Sequence, residues 1–193
     1  MQTDLSDGFV MIRRYRLDDI PLNFAAVRES IKELSPWMPW CHENYSVDDA
    51  TDFISTRDAK WENGDEYEFA IFHVKDGVFL GGVGLNHVDR TDKCANLGYW
   101  VRSGWTRRGV ASAAVRLIAR FGLQELGFNR LEIIAAAGNQ ASQRVAEKAG
   151  AKREGILRKR VWLHGMAHDA VMNSLVAEDF SLVQKPLDKF IPS

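Results

Sequence analysis

A chain of 193 residues, 46% hydrophobic and 26% charged, can bury a substantial core, and a single domain is expected over residues 1–193, with its core at about 9–180 and a short C-terminal tail. The formal net charge of -1 argues against a generally basic nucleic-acid binder, so no direct nucleic-acid partner is expected. Cys41 and Cys94 stand far apart, with no further Cys or His at ligand spacing, which argues against a disulfide framework or a metal site and suits a reducing cytoplasm.

The first ten residues, MQTDLSDGFV, lack a basic segment followed by an apolar core, so no signal peptide is expected there. No run of about 18 apolar residues occurs, so no membrane span is expected. Residues 9–16 (FVMIRRYR) read as a first strand. Asp18 and Asp19 supply capping chemistry and Pro21 suits a first turn, which predicts a helix over about 19–33. The loop LSPWMPWC at residues 34–41 carries two prolines and two tryptophans. Trp37 and Trp40 either plug the end of a core or form the wall of a substrate pocket. Ser46 to Asp49 has the form of a capping box. It opens a second helix carrying Ala50, Phe53, Ile54 and Trp61, which stops near Asn63-Gly64.

Three strands follow, at residues 67–74, 78–88 and 94–101, with Lys75-Asp76-Gly77 as the first turn. Gly81, Gly82 and Gly84 within the second strand predict a bulge or a close backbone approach. Glu66 and Glu68 are expected to be solvated. Then comes WVRSGWTRRGVASAAVRLIARF at residues 100–121: the end of a strand, a turn rich in Gly and Arg, and a helix starting at Val110. Small residues fill that helix's first turn, where free N–H groups and the helix dipole favour an anion. Arg107 and Arg108 alongside suit a phosphate or pyrophosphate. An ordinary helix start with solvated arginines is the competing reading, and on this stretch alone the two stand even.

A buried strand at 129–136, a short helix at 141–149 closed by Gly150, and two strands at 151–163 and 168–177 joined by His164-Gly165 complete the order. Residues 178–193 carry no clear pattern. The whole predicts an α+β fold on one mixed sheet.

With these elements in place, the chain resembles the GNAT superfamily of acyl-coenzyme A N-acyltransferases, and within it the branch of ribosomal-protein N-terminal acetyltransferases containing RimJ and RimL. ANLGYWV at 95–101 with TRRGVA at 106–111 is similar to that family's fourth strand and its Q/R-x-x-G-x-G/A loop. NQASQRVAEKAG at 139–150 is similar to N-x-x-S-x-x-V-x-E-K-x-G-F, and HGMAHDAVMNSL at 164–175 to G-x-x-H-D-x-V-x-x-x-L. LSPWMPW resembles the branch's tryptophan loop.

The resemblance implies a GNAT-like fold, with a central mixed, mostly antiparallel sheet flanked by helices, and acetyl-coenzyme A as co-substrate without a metal. The amine would attack the thioester directly, aided by positioning and preorganised electrostatics. Trp100 and Val101 would guide the pantetheine arm through their backbone. The N–H groups of Arg107, Arg108, Gly109, Val110 and Ala111 would hold the pyrophosphate. Asn139 would bond the arm or simply cap its helix. Trp37, Trp40 and His87 are the candidate substrate-binding residues, and Ser142 is the candidate catalytic donor to the leaving thiolate.

Asn96 and Val161 stand where relatives carry acidic groups, and Val145 where many carry Tyr, so the base stays unassigned. His168 and Asp169 are expected to form a structural hydrogen-bonded pair. The resemblance implies a protein N-terminal α-amine, ribosomal-protein-like, as acceptor. A small-molecule amine such as an amino acid, polyamine or antibiotic is the alternative, and a catalytically weak coenzyme A-binding sensor is a third. Monomer and homodimer both stay open.

Overall fold

The structure, a computed structural model, describes residues 4–180. Residues 1–3 and 181–193, and with them most of the expected tail, lie outside the described residues. Strands β1 (Leu5–Ser6), β2 (Val10–Arg14), β3 (Tyr67–His73), β4 (Phe79–Asp89), β5 (Cys94–Val101), β6 (Arg130–Ala136), β7 (Lys152–Leu163) and β8 (Met166–Leu175) form one sheet. Their order is β1-β2-β3-β4-β5-β6-β8-β7. Among the described residues only β5 and β6 pair in parallel; the other neighbours are antiparallel. The mixed, mostly antiparallel sheet expected from the element order is therefore present.

Helices α1 (Ile20–Leu34) and α2 (Val47–Ser55) cover one face, where Ala26, Val27, Ala50 and Ile54 pack with Ala70, Phe72, Phe79 and Trp100. Helices α4 (Val110–Arg120) and α5 (Gln140–Ala149) cover the other. There Val115, Leu117 and Ile118 meet Phe69, Ile71, Val83, Leu85 and Leu97. The alternation along β3, β4 and β5 thus feeds two cores at once, which is why these strands read as nearly continuous apolar runs.

The capping box at Ser46 is present: its Oγ accepts from the Asp49 N–H at 3.3 Å, and the Asp49 carboxylate accepts from the Ser46 N–H at 2.7 Å. Ser46→Ala is expected to cost about 1 kcal/mol, read as a lower urea midpoint. An unchanged midpoint would show that the box does not hold the start of α2.

Two helix expectations need correction. The segment read as one helix to Asn63 breaks at Thr56 into α2 and α3 (Arg57–Asn63). Thr56 Oγ1 and Arg57 Nε both donate to the Phe53 carbonyl, drawing that acceptor away from the backbone ladder. Asp19 does not cap α1. It is buried and takes a bidentate bond from Arg13, at 2.7 and 2.8 Å, and a third from the Arg16 N–H at 2.8 Å. The helix after Val110 runs to Arg120 and then widens into a π-helical turn over Phe121–Glu125.

The glycines of β4 do mark a bulge and a close approach. Register shifts between Ile71 and Phe72, and Gly81 takes φ +148°. A Cβ there would stand 2.2 Å from the Trp100 carbonyl oxygen, so no larger residue fits without moving β5.

Candidate functional site

Cys94, Ala95 and Asn96 of β5 pair with Arg130, Leu131 and Glu132 of β6, and there the ladder stops. Residues 97–101 of β5 and 133–136 of β6 run on without pairing to each other. The two strands splay into a gap whose β5 side offers unpaired backbone groups. Trp100 and Val101 stand on that side. The Trp100 ring is buried in the α1–α2 core, so only its backbone can serve anything in the gap.

The segment between the end of β5 and α4 is held from α1. Glu29 forms an ion pair with Arg102 and accepts from the Gly104 N–H at 3.2 Å. Ser30 Oγ accepts from the Ser103 N–H at 2.9 Å, and Glu33 accepts from Ser103 Oγ at 2.8 Å. The Arg102 guanidinium holds the Glu29 carboxyl below its ordinary range. None of these three α1 residues is legible as a site residue in the sequence, because they lie some seventy positions from what they hold.

Arg107 at φ +62° and Gly109 at φ +87° then turn the chain into α4, whose N-cap is Gly109. A Cβ on Gly109 would meet nothing within 4 Å, so the approach is open. Arg107 is exposed, and Arg108 is seated over the Trp105 ring at 4.8 Å. The Val110 side chain is buried in the core, so only its backbone could serve a ligand. Ala111 completes a first turn small enough for an anion to reach it.

On the α5 side of the gap, Ser142 meets Tyr99 of β5. The Tyr99 hydroxyl donates to the Ser142 carbonyl at 2.9 Å and shares a hydrogen bond with Ser142 Oγ at 2.8 Å. Burial pushes the Tyr99 phenol up to about 12, so it keeps its proton near neutrality. Tyr99 is a polar partner for Ser142 that the sequence leaves hidden among the strand's apolar positions. Asn139 is the N-cap of α5, its Oδ1 accepting from the Ser142 N–H at 3.1 Å. It thereby fixes the turn that carries Ser142.

The tryptophan loop crosses the other side of the gap. Trp40 meets the Trp100 ring of β5 edge-on, with centroids 6.0 Å apart. Trp37 packs over Gly138, just beyond β6. A cleft of about 260 Å³ lies beside it, lined by Trp37, Gly138, His164, His168 and Asp169.

His87 stands apart from this arrangement. It is exposed at the bulged end of β4, with φ +49°, near the opposite end of β5 from Trp100. The bulge between Asn86 and Asp89 breaks the alternation on which its placement depended. His168 and Asp169 line the same cleft, but Asp169 bonds elsewhere. Its Oδ1 accepts from the Lys159 N–H at 2.9 Å, stabilising a bulge in β7 where Lys159 takes φ +54°.

Glu66 and Glu68 are not solvated as expected. Glu66 takes Arg57 at 2.6 Å and Lys60 at 2.7 Å. Glu68 lies inward across β4, and burial pushes its carboxyl up to about 7. Val161 pairs with His168 between β7 and β8, and Asn96 faces Asn86 between β5 and β4.

The family described as "Acetyltransferase (GNAT) domain" matches residues 10–152. The chain is 34% identical over 105 residues to YdaF of Bacillus subtilis (strain 168), provisionally named a ribosomal N-acetyltransferase; the match covers 54% of this chain and 57% of YdaF. It is 32% identical over 136 residues to YjcK of the same organism, provisionally named an N-acetyltransferase, covering 70% of this chain and 75% of YjcK. The structure of RimL, titled a ribosomal L7/L12 alpha-N-protein acetyltransferase in complex with coenzyme A, superposes with a TM-score of 0.82. That superposition covers 91% of this chain and 97% of RimL at 19% identity, which makes it a likeness of fold.

Proposed function

The chain belongs to the GNAT acetyltransferase family, and from that premise we propose that it transfers acetyl from acetyl-coenzyme A to a primary amine, the α-amine at a protein N-terminus. The observation that carries this reading is the gap between β5 and β6, with the anion-accepting start of α4 at its end and the Tyr99–Ser142 pair on one wall. Acetyl-coenzyme A would supply the acetyl group as an activated thioester. The N–H groups of Arg107 to Ala111 would bind its pyrophosphate, with Arg107 adding charge. Unpaired backbone at Trp100 and Val101 would align the pantetheine arm. Ser142, steadied by Tyr99, would give its proton to the departing thiolate.

A protein terminus is favoured over a small enclosed amine because the wall is open. Trp40 is 42% exposed and the cleft beside Trp37 reaches the surface, which suits an extended chain. The names of YdaF and RimL point to the same class of acceptor. The test is thiol release from acetyl-coenzyme A with serine- and alanine-initiated hexapeptides, set against free amino acids and polyamines. Peptide turnover well above small-amine turnover is expected. The reverse order would make this a small-amine enzyme, and tight acetyl-coenzyme A binding without turnover on any amine would make it a sensor.

Ser142→Ala is expected to lower turnover on the order of 100-fold while acetyl-coenzyme A affinity stays within about twofold. Equal turnover would remove Ser142 from the proton path.

A further inference from the structure

On the α1–α2 face of the sheet, the polar atoms of five side chains converge over three glycines. Register puts Glu68, Gly84 and Gly98 in one row across β3, β4 and β5, Gly82 opposite Trp100, and Asn86 opposite Asn96. With a period of two, all of these share one face. The glycines leave room that other side chains use. A Cβ on Gly84 would stand 2.0 Å from Glu68 Oε2, and one on Gly82 would stand 2.5 Å from the Tyr15 hydroxyl and 2.8 Å from Trp100 Nε1. Above Gly98 the nearest atoms are the Asn86 and Asn96 amide nitrogens, at 3.7 and 3.9 Å, so the floor is open beside the unpaired part of β5. The Asn96 amide donates to Asn86 Oδ1 at 2.8 Å, and the Asn86 amide donates to Glu68 Oε1 at 3.4 Å.

The Tyr15 hydroxyl provides a second, independent sign of a ligand. It is buried and has no hydrogen-bond partner among the described residues. The Asn23 carboxamide beside it stands just outside hydrogen-bond geometry and accepts from the Tyr45 hydroxyl at 3.1 Å instead, although its polarity still favours the ionised phenol. Buried hydroxyls are rarely left unpaired, and this one points at the same floor as Glu68. The Trp100 ring borders the same floor at Gly82 and meets Trp40 edge-on. A carboxylate, a free hydroxyl and aromatic rings over an open floor are the chemistry that receives a primary ammonium.

We infer that this glycine-floored recess is the acceptor-amine site, and that Glu68 takes the proton from the incoming ammonium. The inference rests on the acetyl-transfer reading above. It also answers the question left by Asn96: the carboxylate that the β5 position lacks comes from two strands away on the same face. An ammonium loses two protons on becoming an amide. The first passes to the Glu68 carboxylate and on to solvent. The freed nitrogen then bonds to the acyl carbon as the carbon–sulfur bond breaks; the departing thiolate takes the Ser142 proton, and the second proton of the nitrogen passes through water to the Ser142 oxygen and restores it.

Glu68 is the accepting form only when ionised. Burial holds the group near pH 7, outweighing the Asn86 hydrogen bond and the charges of Arg57 and Lys60 of α3, which favour the ionised form; Glu66 opposes it, and Tyr15 faces it from the segment after β2. Activity should therefore rise with pH through about 7. Folding takes up a proton at Glu68 between the ordinary carboxylate range and about 7, so this group's stabilising contribution is full at low pH and is lost as pH rises through that window.

The test uses the full chain, acetyl-coenzyme A and a serine-initiated hexapeptide, with kcat/KM measured from pH 5.5 to 9.5. Glu68→Gln is expected to lower kcat/KM about 100-fold, to erase the limb near pH 7, and to leave acetyl-coenzyme A affinity unchanged. It should also flatten the fall in melting temperature between pH 5 and 8. Gly84→Ala, whose methyl would displace the Glu68 carboxylate, should reproduce the kinetic loss. If the parent turns over and Glu68→Gln retains its rate and pH limb, the inference is overturned while acetyl transfer stands. If the parent turns over no amine, the proposed function falls. Calorimetry of the hexapeptide then decides the recess: equal binding to parent and Glu68→Gln would overturn it, and at least tenfold weaker binding to the variant would support it.

Discussion

Gly109→Glu is expected to weaken acetyl-coenzyme A binding by about 100-fold or more, about 2.7 kcal/mol, measured by calorimetry. Gly109 is the N-cap of α4, at φ +87°, with nothing within 4 Å of its Cβ position. A glutamate there would fold into open space and set a carboxylate at the one place where the loop offers N–H groups and positive dipole. Like-charge repulsion against a pyrophosphate at contact distance is the dominant cost. Backbone strain contributes about 1–2 kcal/mol to stability and less to binding. Gly109→Ala carries that strain without the charge, so it separates the two causes. Affinity that survives in the glutamate variant would move the anion site elsewhere.

Asp19→Ala is expected to produce the largest loss of stability among these variants, about 3–5 kcal/mol and a melting temperature lower by on the order of 10 °C. The Asp19 side chain is only 2% exposed, and its partner Arg13 is 12% exposed. Their bond is bidentate, and the Arg13 guanidinium also lies over the Phe72 ring at 4.3 Å. Removing the carboxylate leaves the Arg16 N–H without its acceptor and the largely covered Arg13 guanidinium without its counter-charge, holding only the Arg14 carbonyl at 2.9 Å. Asp19→Asn keeps the shape and should lose less. A loss below about 1 kcal/mol on thermal melting of Asp19→Ala would show that Arg13 finds water instead.

The two variants differ in how far the sequence foresees them. Gly109 is legible because its role is local: a glycine, two arginines and a run of small residues stand together in the chain. Asp19 reads in the sequence as a helix cap, since sequence shows an acidic residue before a helix but not the arginine that folds back onto it. The break at Thr56 has the same origin. Helical periodicity continues through residues 46–64, while the Thr56 and Arg57 side chains take a carbonyl that the ladder needed.

Local patterning by itself determined where most strands and helices run, the span 94–101 of β5 and the N-terminal cap of α2 among them. It also determined the Gly- and Arg-rich turn before α4 and the order of elements that marks the family. Those features depend on contacts within a few residues, and the chain states them directly. The tertiary structure alone decided the rest of the site. The gap exists because β5 and β6 pair for three residues and then part. Ser142 meets Tyr99 across 43 positions, and Glu29 and Ser30 of α1 hold the loop after β5 from more than seventy positions away. Glu68 reads as a surface strand residue until register lays it over Gly84, on the same face as Asn86 and Asn96. Strand register and helix packing are set by the summed burial of two cores, so no single stretch of sequence carries them.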